Sequence, residues 1–113
     1  MFQKKYRLQK EKDFEDVFKK GYYSPTPLWT LKWKKNGLLY PRYGFVVSNK
    51  ISKSAVIRNK IKRRLRDIVR RNHIIYPVDM VFIVKPRIVE SSFGDIQSMY
   101  MYQLKKVSPL LKI

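Results

Sequence analysis

Apolar residues near the start of the chain recur at helical spacing. Phe14, Val17 and Phe18 follow the i, i+3, i+4 pattern that places side chains on one face of a helix. Acidic residues occupy the early turns and lysines the last turn, which suits the helix dipole. Gly21 supplies a natural stop. The pattern predicts a first helix over about Lys10 to Lys20.

A period of two marks the segment that follows. Trp29, Leu31 and Trp33 alternate with Thr and Lys, so a strand here places both indoles on one face, and we expect them in the core. Before it, Ser24 to Pro27 holds two prolines in three residues and is predicted to be a loop. After it, Asn36-Gly37 is a hairpin turn signal, because both residues tolerate positive φ.

Two further strands are predicted downstream of that turn. Tyr43 to Ser48 is expected to be the returning strand of the hairpin, with Leu38 to Arg42 as a short strand or loop. Asp79 to Val84 is almost wholly apolar and is bounded by Pro77 and Pro86, so we expect a central strand.

Two more amphipathic segments predict helices. Between Lys53 and Asn72 the apolar residues form one stripe facing the core, and Ser52 or Ser54 could cap this helix. The last helix is expected to open at Ser92 and Asp95, which resemble a capping pair, and to end near Val107 before Pro109. The stripe of the helix predicted between Lys53 and Asn72 consists of Ala55, Ile57, Ile61, Leu65, Ile68 and Val69.

The predicted element order is α-β-β-β-α-β-α, in which the first of the two strands after the turn is the least defined. No internal repeat or linker interrupts residues 1–113, so we expect a single domain over the whole length. The fold class is therefore α+β, a sandwich with one layer of helices packed on one mainly antiparallel sheet.

The charge and composition of the chain indicate the kind of partner it binds. Lysine and arginine number 26 against 8 acids, a net charge of +18, which indicates a polyanionic partner. Hydrophobic residues make up 44% of the chain, unlike disordered basic tails. No apolar run is long enough to span a membrane, so a cytoplasmic protein is expected. The absence of cysteine excludes disulfides and thiolate chemistry.

The positive charge is concentrated on the helix around residues 58–71, where eight of fourteen residues are Lys or Arg and only Asp67 is acidic. Projection at about 100° per residue puts Asn59, Arg63, Arg66 and Arg70 opposite the apolar stripe. A charged helix face can be merely solvated, but such faces usually mix signs. Arginines without acids favour phosphate contacts and stacking on bases.

At these residues the sequence resembles the bacterial ribonuclease P protein family. The segment from Ala55 to Arg63, AVIRNKIKR, is similar to that family's arginine-asparagine-arginine signature. Tyr43 to Lys50 resembles the strand that precedes the signature helix, and Leu8 to Gly21 resembles the first helix of the family. The resemblance implies a fold like the second domain of ribosomal protein S5.

What the resemblance implies is a protein that does not itself cut RNA. In the family the RNA subunit is the catalyst and removes the 5′ leader from precursor tRNA. We therefore expect two partners, the ribonuclease P RNA subunit and precursor tRNA, with no membrane and no small-molecule substrate. We also expect no cofactor in the protein, and magnesium in the RNA holoenzyme.

The resemblance assigns residues to two surfaces. Lys60 stands where the family commonly has a second arginine, and it keeps the charge without the planar fork. Asn49, in place of a common lysine, and the turn 52–54 also depart from the family. The residues expected to contact the catalytic RNA are Arg58, Asn59, Lys60, Lys62, Arg63, Arg66 and Arg70. The residues expected to line the leader cleft are Phe14, Phe18, Lys32 and Lys50.

Alternatives remain open at this point. A Phe pair at i, i+4 is also what a helix buries in an ordinary core. His73 is the only histidine, and its place just past the basic helix favours a surface or capping role over catalysis. The acids form no recognisable metal motif, which agrees with an RNA catalyst. The competing functions are a ribosomal or other structural RNA-binding protein, a nuclease acting alone, and a membrane-surface binder.

Overall fold

The chain forms a four-stranded sheet with helices on both of its faces. The structure, a computed structural model, describes residues 3–111. The helices are α1 (Glu11–Lys20), α2 (Ala55–Arg71) and α3 (Phe93–Leu111), with 3-10 turns at Lys4–Tyr6 and Pro86–Glu90. The strands are β1 (Tyr22–Pro25), β2 (Trp29–Lys35), β3 (Arg42–Val46) and β4 (Val78–Val84). This order confirms the α+β class and matches the predicted α-β-β-β-α-β-α string. The additional strand, however, is β1, whereas residues 38–41 form a loop.

β4 lies inside the sheet, whose strand order is β1-β2-β4-β3. All residues of β4 except Ile83 are buried, and only an interior position covers both faces of so apolar a strand. β1 with β2 and β2 with β4 are antiparallel, whereas β3 with β4 is parallel. The central placement predicted for this strand is confirmed.

The predicted hairpin between β2 and β3 is wrong, although its turn forms. Gly37 adopts a φ of 70°, and the Asn36 side chain accepts a hydrogen bond from the Leu38 amide at 2.8 Å. The Asn36 amide also donates to Asp79 of β4 at 3.0 Å. A hairpin would have left apolar β4 at an edge, so β4 pairs between β2 and β3 instead. β3 also ends at Val46 rather than Ser48.

The loop predicted from Ser24 to Pro27 is wrong in its first half. Ser24 and Pro25 belong to β1, which pairs only with β2. An edge strand tolerates proline, because one row of its backbone groups needs no partner in the sheet. Thr26 then closes the β1–β2 turn, since its hydroxyl accepts from the Trp29 amide at 3.1 Å and donates to the Trp29 carbonyl at 2.8 Å.

The predicted single layer of helices is also wrong. α2 and α3 cover the sheet face that carries Trp29, Trp33 and Phe82, and together they enclose the main core. α1 lies on the opposite face, where Val17 packs against Val81 in a smaller cluster. The two indoles are 0% and 5% exposed, as expected for the core. The periodicity of a helix marks its apolar face but does not say which sheet face receives it.

The ends of α2 and α3 show how local sequence shapes the fold. Ser54 caps α2 by accepting from the Ile57 amide at 3.4 Å. Ile57 itself is 39% exposed, so the predicted stripe is buried only from Ile61 onward. The predicted stop at Pro109 is wrong: α3 continues to Leu111, which is 3% exposed. Burial of Leu111 offsets the backbone bond that proline removes from the last turn.

Candidate nucleic-acid interface

The outer face of α2 forms a basic ridge. Its members are Arg58, Asn59, Lys60, Lys62, Arg63, Arg66 and Arg70. Asn59, Lys60, Arg63 and Arg70 are exposed, and the other three are half-buried. Since Ile61, Leu65, Ile68 and Val69 anchor the inner face in the core, the helix holds these cationic groups in fixed relative positions. Such a ridge suits the backbone of a folded RNA.

Among the described residues, carboxylates form ion pairs with the basic side chains of α2 only at its C-terminal end. Asp67 accepts from Arg70 at 2.7 Å and lies 3.1 Å from Arg71. The hydrogen bond from Arg70 lowers the pKa of Asp67, and the charge of Arg71 acts in the same direction. Within residues 3–111 the ion pairs include no other basic residue of α2. Arg70 is therefore the ridge member that already has a carboxylate partner.

The N-terminal end of the ridge is held by the turn that precedes α2. The Arg58 guanidinium donates to the Ser52 carbonyl at 2.8 Å. The Ser52 hydroxyl in turn accepts from the Ser54 amide at 3.2 Å. The turn 52–54 thus both caps α2 and orients the first arginine of the ridge.

A small cleft adjoins the ridge at the β3 edge of the sheet. We call it the α1 cleft, and its volume is about 250 Å³. Phe14 of α1 packs directly over Gly44 of β3, where a Cβ atom would lie 2.5 Å from the ring. A side chain at position 44 would therefore displace Phe14. The lining residues are Arg7, Leu8, Gln9, Phe14, Tyr43, Gly44, Phe45 and Arg66.

Arg66 is the ridge member that also lines the α1 cleft, together with Arg7, and it is half-buried there. Burial lowers the pKa of Arg66, and the nearby charge of Arg7 lowers it further. An arginine nevertheless stays charged at neutral pH. Two cations in one cleft repel each other, and a bound phosphate would relieve that repulsion. Arg66 thus connects the ridge to the cleft.

Phe18 and Lys32 extend the aromatic surface along α1. Phe18 is 39% exposed, and its ring centroid lies 6.3 Å from that of Phe14, which is half-buried. The Lys32 ammonium lies 5.7 Å from the Phe18 ring centroid and 3.4 Å from the Phe18 carbonyl oxygen. Neither phenylalanine is an ordinary core residue. The structure therefore brings Phe14, Phe18 and Lys32 together, as the resemblance implied.

Lys50, the fourth residue assigned to the cleft, lies in the exposed turn between β3 and α2. Of the four residues expected to line the cleft, only Phe14 is among those that line the α1 cleft, whereas Phe18, Lys32 and Lys50 are not. Sequence reasoning missed Arg7, Gln9 and Gly44. An isolated glycine within a strand signals close approach of another group, so the role of Gly44 could have been inferred, whereas the position of the segment before α1 could not.

The described residues offer no set of catalytic groups. Asp13 and Asp79 both bind Arg42, at 3.3 and 2.8 Å, and they join α1 and β4 through it. His73 is exposed just past α2, with its Nδ1 atom 3.2 Å from the Tyr43 hydroxyl. Among residues 3–111 no three His, Asp or Glu side chains could hold a metal ion. Nor does any helix in that range have the length and apolarity to cross a membrane.

Comparisons with known proteins agree on one family. The family model described as Ribonuclease P matches residues 2–108. The ribonuclease P protein component of Alkaliphilus oremlandii is 35% identical over 104 residues, which cover 90% of each chain.

Solved structures of such proteins share the fold. A Staphylococcus aureus RNase P protein mutant with defective mRNA degradation activity superposes with a TM-score of 0.86 at 30% identity, over 93% of this chain and 90% of that one. The Thermotoga maritima RNase P protein gives a TM-score of 0.80 at 33% identity, over 88% and 96%.

Proposed function

This chain belongs to the family of bacterial ribonuclease P protein components, and from that premise we propose that it is the non-catalytic subunit of the enzyme. It binds the catalytic RNA through the basic ridge and the 5′ leader of precursor tRNA along the α1 cleft, Phe18 and Lys32. The RNA cleaves the leader, with magnesium bound in the holoenzyme. We place this assembly in the cytoplasm.

One observation carries this proposal: a nearly un-neutralised arginine face adjoins an aromatic cleft, and Arg66 belongs to both. The ridge offers phosphate contacts on a rigid helix, which suits a folded RNA partner. Phe14 and Phe18 offer partly exposed rings, on which unpaired bases stack with little sequence preference. A leader is single-stranded and varies in sequence, so this surface matches its chemistry.

The non-catalytic role is supported by the distribution of the acids. Asp13, Asp67 and Asp79 each bind arginine, which leaves them poorly placed to ligate a metal. An mRNA degradation activity is named for the S. aureus protein, whereas the non-catalytic role proposed for this chain assigns no RNA cleavage to the protein alone. Incubation of the protein alone with precursor tRNA and with mRNA tests for such an activity, and we expect no cleavage.

Reconstitution tests the proposed function. Purified protein, added to a bacterial ribonuclease P RNA at low magnesium, is expected to accelerate removal of the leader from precursor tRNA relative to the RNA alone. A ribosomal or other structural RNA-binding protein would bind RNA without accelerating cleavage. Failure to stimulate, in a preparation that binds the catalytic RNA, would contradict the proposal.

A further inference from the structure

A second cavity lies away from the α1 cleft, where the end of β2 meets the last turn of α3. We call it the Tyr22 cavity, and its volume is about 470 Å³. Its size is within the range of pockets that hold a small ligand, about 300–1,000 Å³. The lining residues are Lys20, Tyr22, Trp33, Lys34, Lys35, Val78, Leu110 and Leu111.

Tyr22 supplies an aromatic platform in this cavity. Its ring stacks on the Trp33 indole with a centroid distance of 5.8 Å and an interplanar angle of 30°. Trp33 is only 5% exposed and is fixed in the core, whereas Tyr22 remains 72% exposed. The buried indole therefore supports the Tyr22 ring from one side and leaves most of it open to a planar ligand.

The charge around the cavity is positive. Lys20 reaches it from the end of α1, and Lys34 and Lys35 from the end of β2. The ion pairs within residues 3–111 include none of these lysines. An apolar wall, an open aromatic ring and three lysines together fit a ligand that is both planar and anionic. A nucleotide of single-stranded RNA has this chemistry.

The cavity follows the proposed leader path along two elements. On α1, Lys20 comes two residues after Phe18. On β2, Lys34 points to the same sheet face as Lys32 and lies roughly 7 Å further along the strand. Tyr22 and Lys35 lie on the opposite face, beside Trp33. A strand of RNA that passes Phe18 and Lys32 therefore meets Lys34 next and reaches Tyr22 around the end of β2.

We propose that the Tyr22 cavity binds an unpaired nucleotide of the precursor leader, upstream of the part held at Phe18. The base stacks on Tyr22, and the adjoining phosphates contact Lys20, Lys34 and Lys35. This inference rests on the proposed function. It adds a second leader subsite, which only leaders long enough to reach beyond α1 can occupy.

Leader length gives the test. The reconstituted holoenzyme is titrated with precursor tRNAs that carry a short or a long leader, with wild-type protein or Tyr22→Leu, which keeps apolar cover over Trp33. We expect Tyr22→Leu to weaken binding of the long-leader substrate by roughly five- to tenfold, the loss of one stacked base. Binding of the short-leader substrate should stay unchanged. Tyr22→Phe, which keeps an aromatic ring, should bind the long-leader substrate as tightly as the wild-type protein does.

Tyr102 provides the matched control, because it is 67% exposed on α3 and does not line the cavity. Tyr102→Leu should leave both affinities unchanged. Equal weakening of both substrates by Tyr22→Leu, or no weakening, would overturn the inference. If the wild-type holoenzyme does not process precursor tRNA at all, the proposed function fails instead, so the two failures are distinguishable.

Cross-linking gives a second measurement that leaves Tyr22 intact. The chain has no cysteine, so Lys35→Cys introduces a single attachment site for a photoactivatable probe. We expect cross-links to upstream leader nucleotides from Lys35→Cys. Lys105→Cys, exposed on α3 outside the cavity, should give none. Cross-links from position 35 to the catalytic RNA alone would contradict a leader subsite.

Discussion

Phe18 shows how far single residues could be interpreted from the sequence. Its spacing from Phe14 and Val17 predicted the apolar face of α1, and the structure confirms that face. Val17 is 1% exposed, whereas Phe18 is 39% exposed on the same helix. Spacing gives the direction of a side chain but not the extent of the surface it meets. The difference arises because Val17 packs against Val81 of β4 in the smaller core cluster, of which Phe18 is not a part.

Replacement of Phe18 by alanine should reduce the preference for leader-bearing over leaderless tRNA. The expected loss is roughly five- to tenfold in relative affinity, the lower part of the range for one base stacked on an aromatic ring. The free energy of unfolding should fall by less than the roughly 3–5 kcal/mol that replacement of a fully buried phenylalanine by alanine costs. Binding of both tRNAs to the reconstituted holoenzyme, together with urea unfolding of the variant, measures the two effects separately.

Phe18→Leu is the control for this substitution, because it keeps apolar bulk on α1 without an aromatic face. It should lose the leader preference as Phe18→Ala does, but with a smaller change in the free energy of unfolding. If Phe18→Leu retained the full preference, apolar contact rather than stacking would be the source of leader binding.

At the scale of elements, the helices were more predictable than the sheet. α1 and α2 lie close to their predicted ranges, because a helix makes its hydrogen bonds locally. The partners of β2 depend on distant chain segments: the local turn at Asn36-Gly37 favoured a hairpin, and the burial of β4 decided otherwise. The α1 cleft shows the same limit, since Arg7 and Arg66 meet there from segments far apart in the sequence.

Asp67 makes α2 testable as an RNA-binding element. In the protein alone its carboxylate binds Arg70 and Arg71, so those cations must leave it before they can contact a phosphate. Asp67→Asn should therefore strengthen association with the catalytic RNA. Arg63→Ala should weaken it, because Arg63 is exposed and is in none of the ion pairs among residues 3–111. Filter binding at several salt concentrations measures both changes, and Arg63→Ala should reduce the log–log salt slope by about 0.7–0.9.

The triple variant Asp67→Asn/Arg70→Ala/Arg71→Ala distinguishes release of the arginines from simple loss of a repelling carboxylate. Compared with Arg70→Ala/Arg71→Ala, it should show little further gain in affinity if Asp67 acts by holding those arginines. If Asp67→Asn increased the affinity for the catalytic RNA as much in the double-alanine variant as it does in the wild-type protein, its effect would come from repulsion between Asp67 and the RNA. A weaker complex with Asp67→Asn alone would contradict the picture of α2 as a phosphate-binding ridge.

At the scale of the whole molecule, the net charge of +18 acts on two equilibria in opposite directions. In the protein alone, like charges are brought closer by folding, and their repulsion opposes the folded state. In the complex, the same charges attract the phosphates of the RNA. Salt screens both interactions, with a Debye length of about 10 Å at 0.1 M.

Sodium chloride should therefore stabilise the free protein while it weakens the protein–RNA complex. The midpoint of urea unfolding should rise with salt, whereas the association constant for the catalytic RNA should fall, with a log–log slope of about −0.7 to −0.9 for each phosphate contacted. Chloride is the suitable anion, since sulfate also strengthens apolar burial. Lys105→Gln/Lys106→Gln, which lowers the charge on the exposed side of α3, should reduce the gain in stability. A midpoint that stays constant or falls with added salt would show that self-repulsion does not limit the fold, and the basic surface would then act on RNA binding alone.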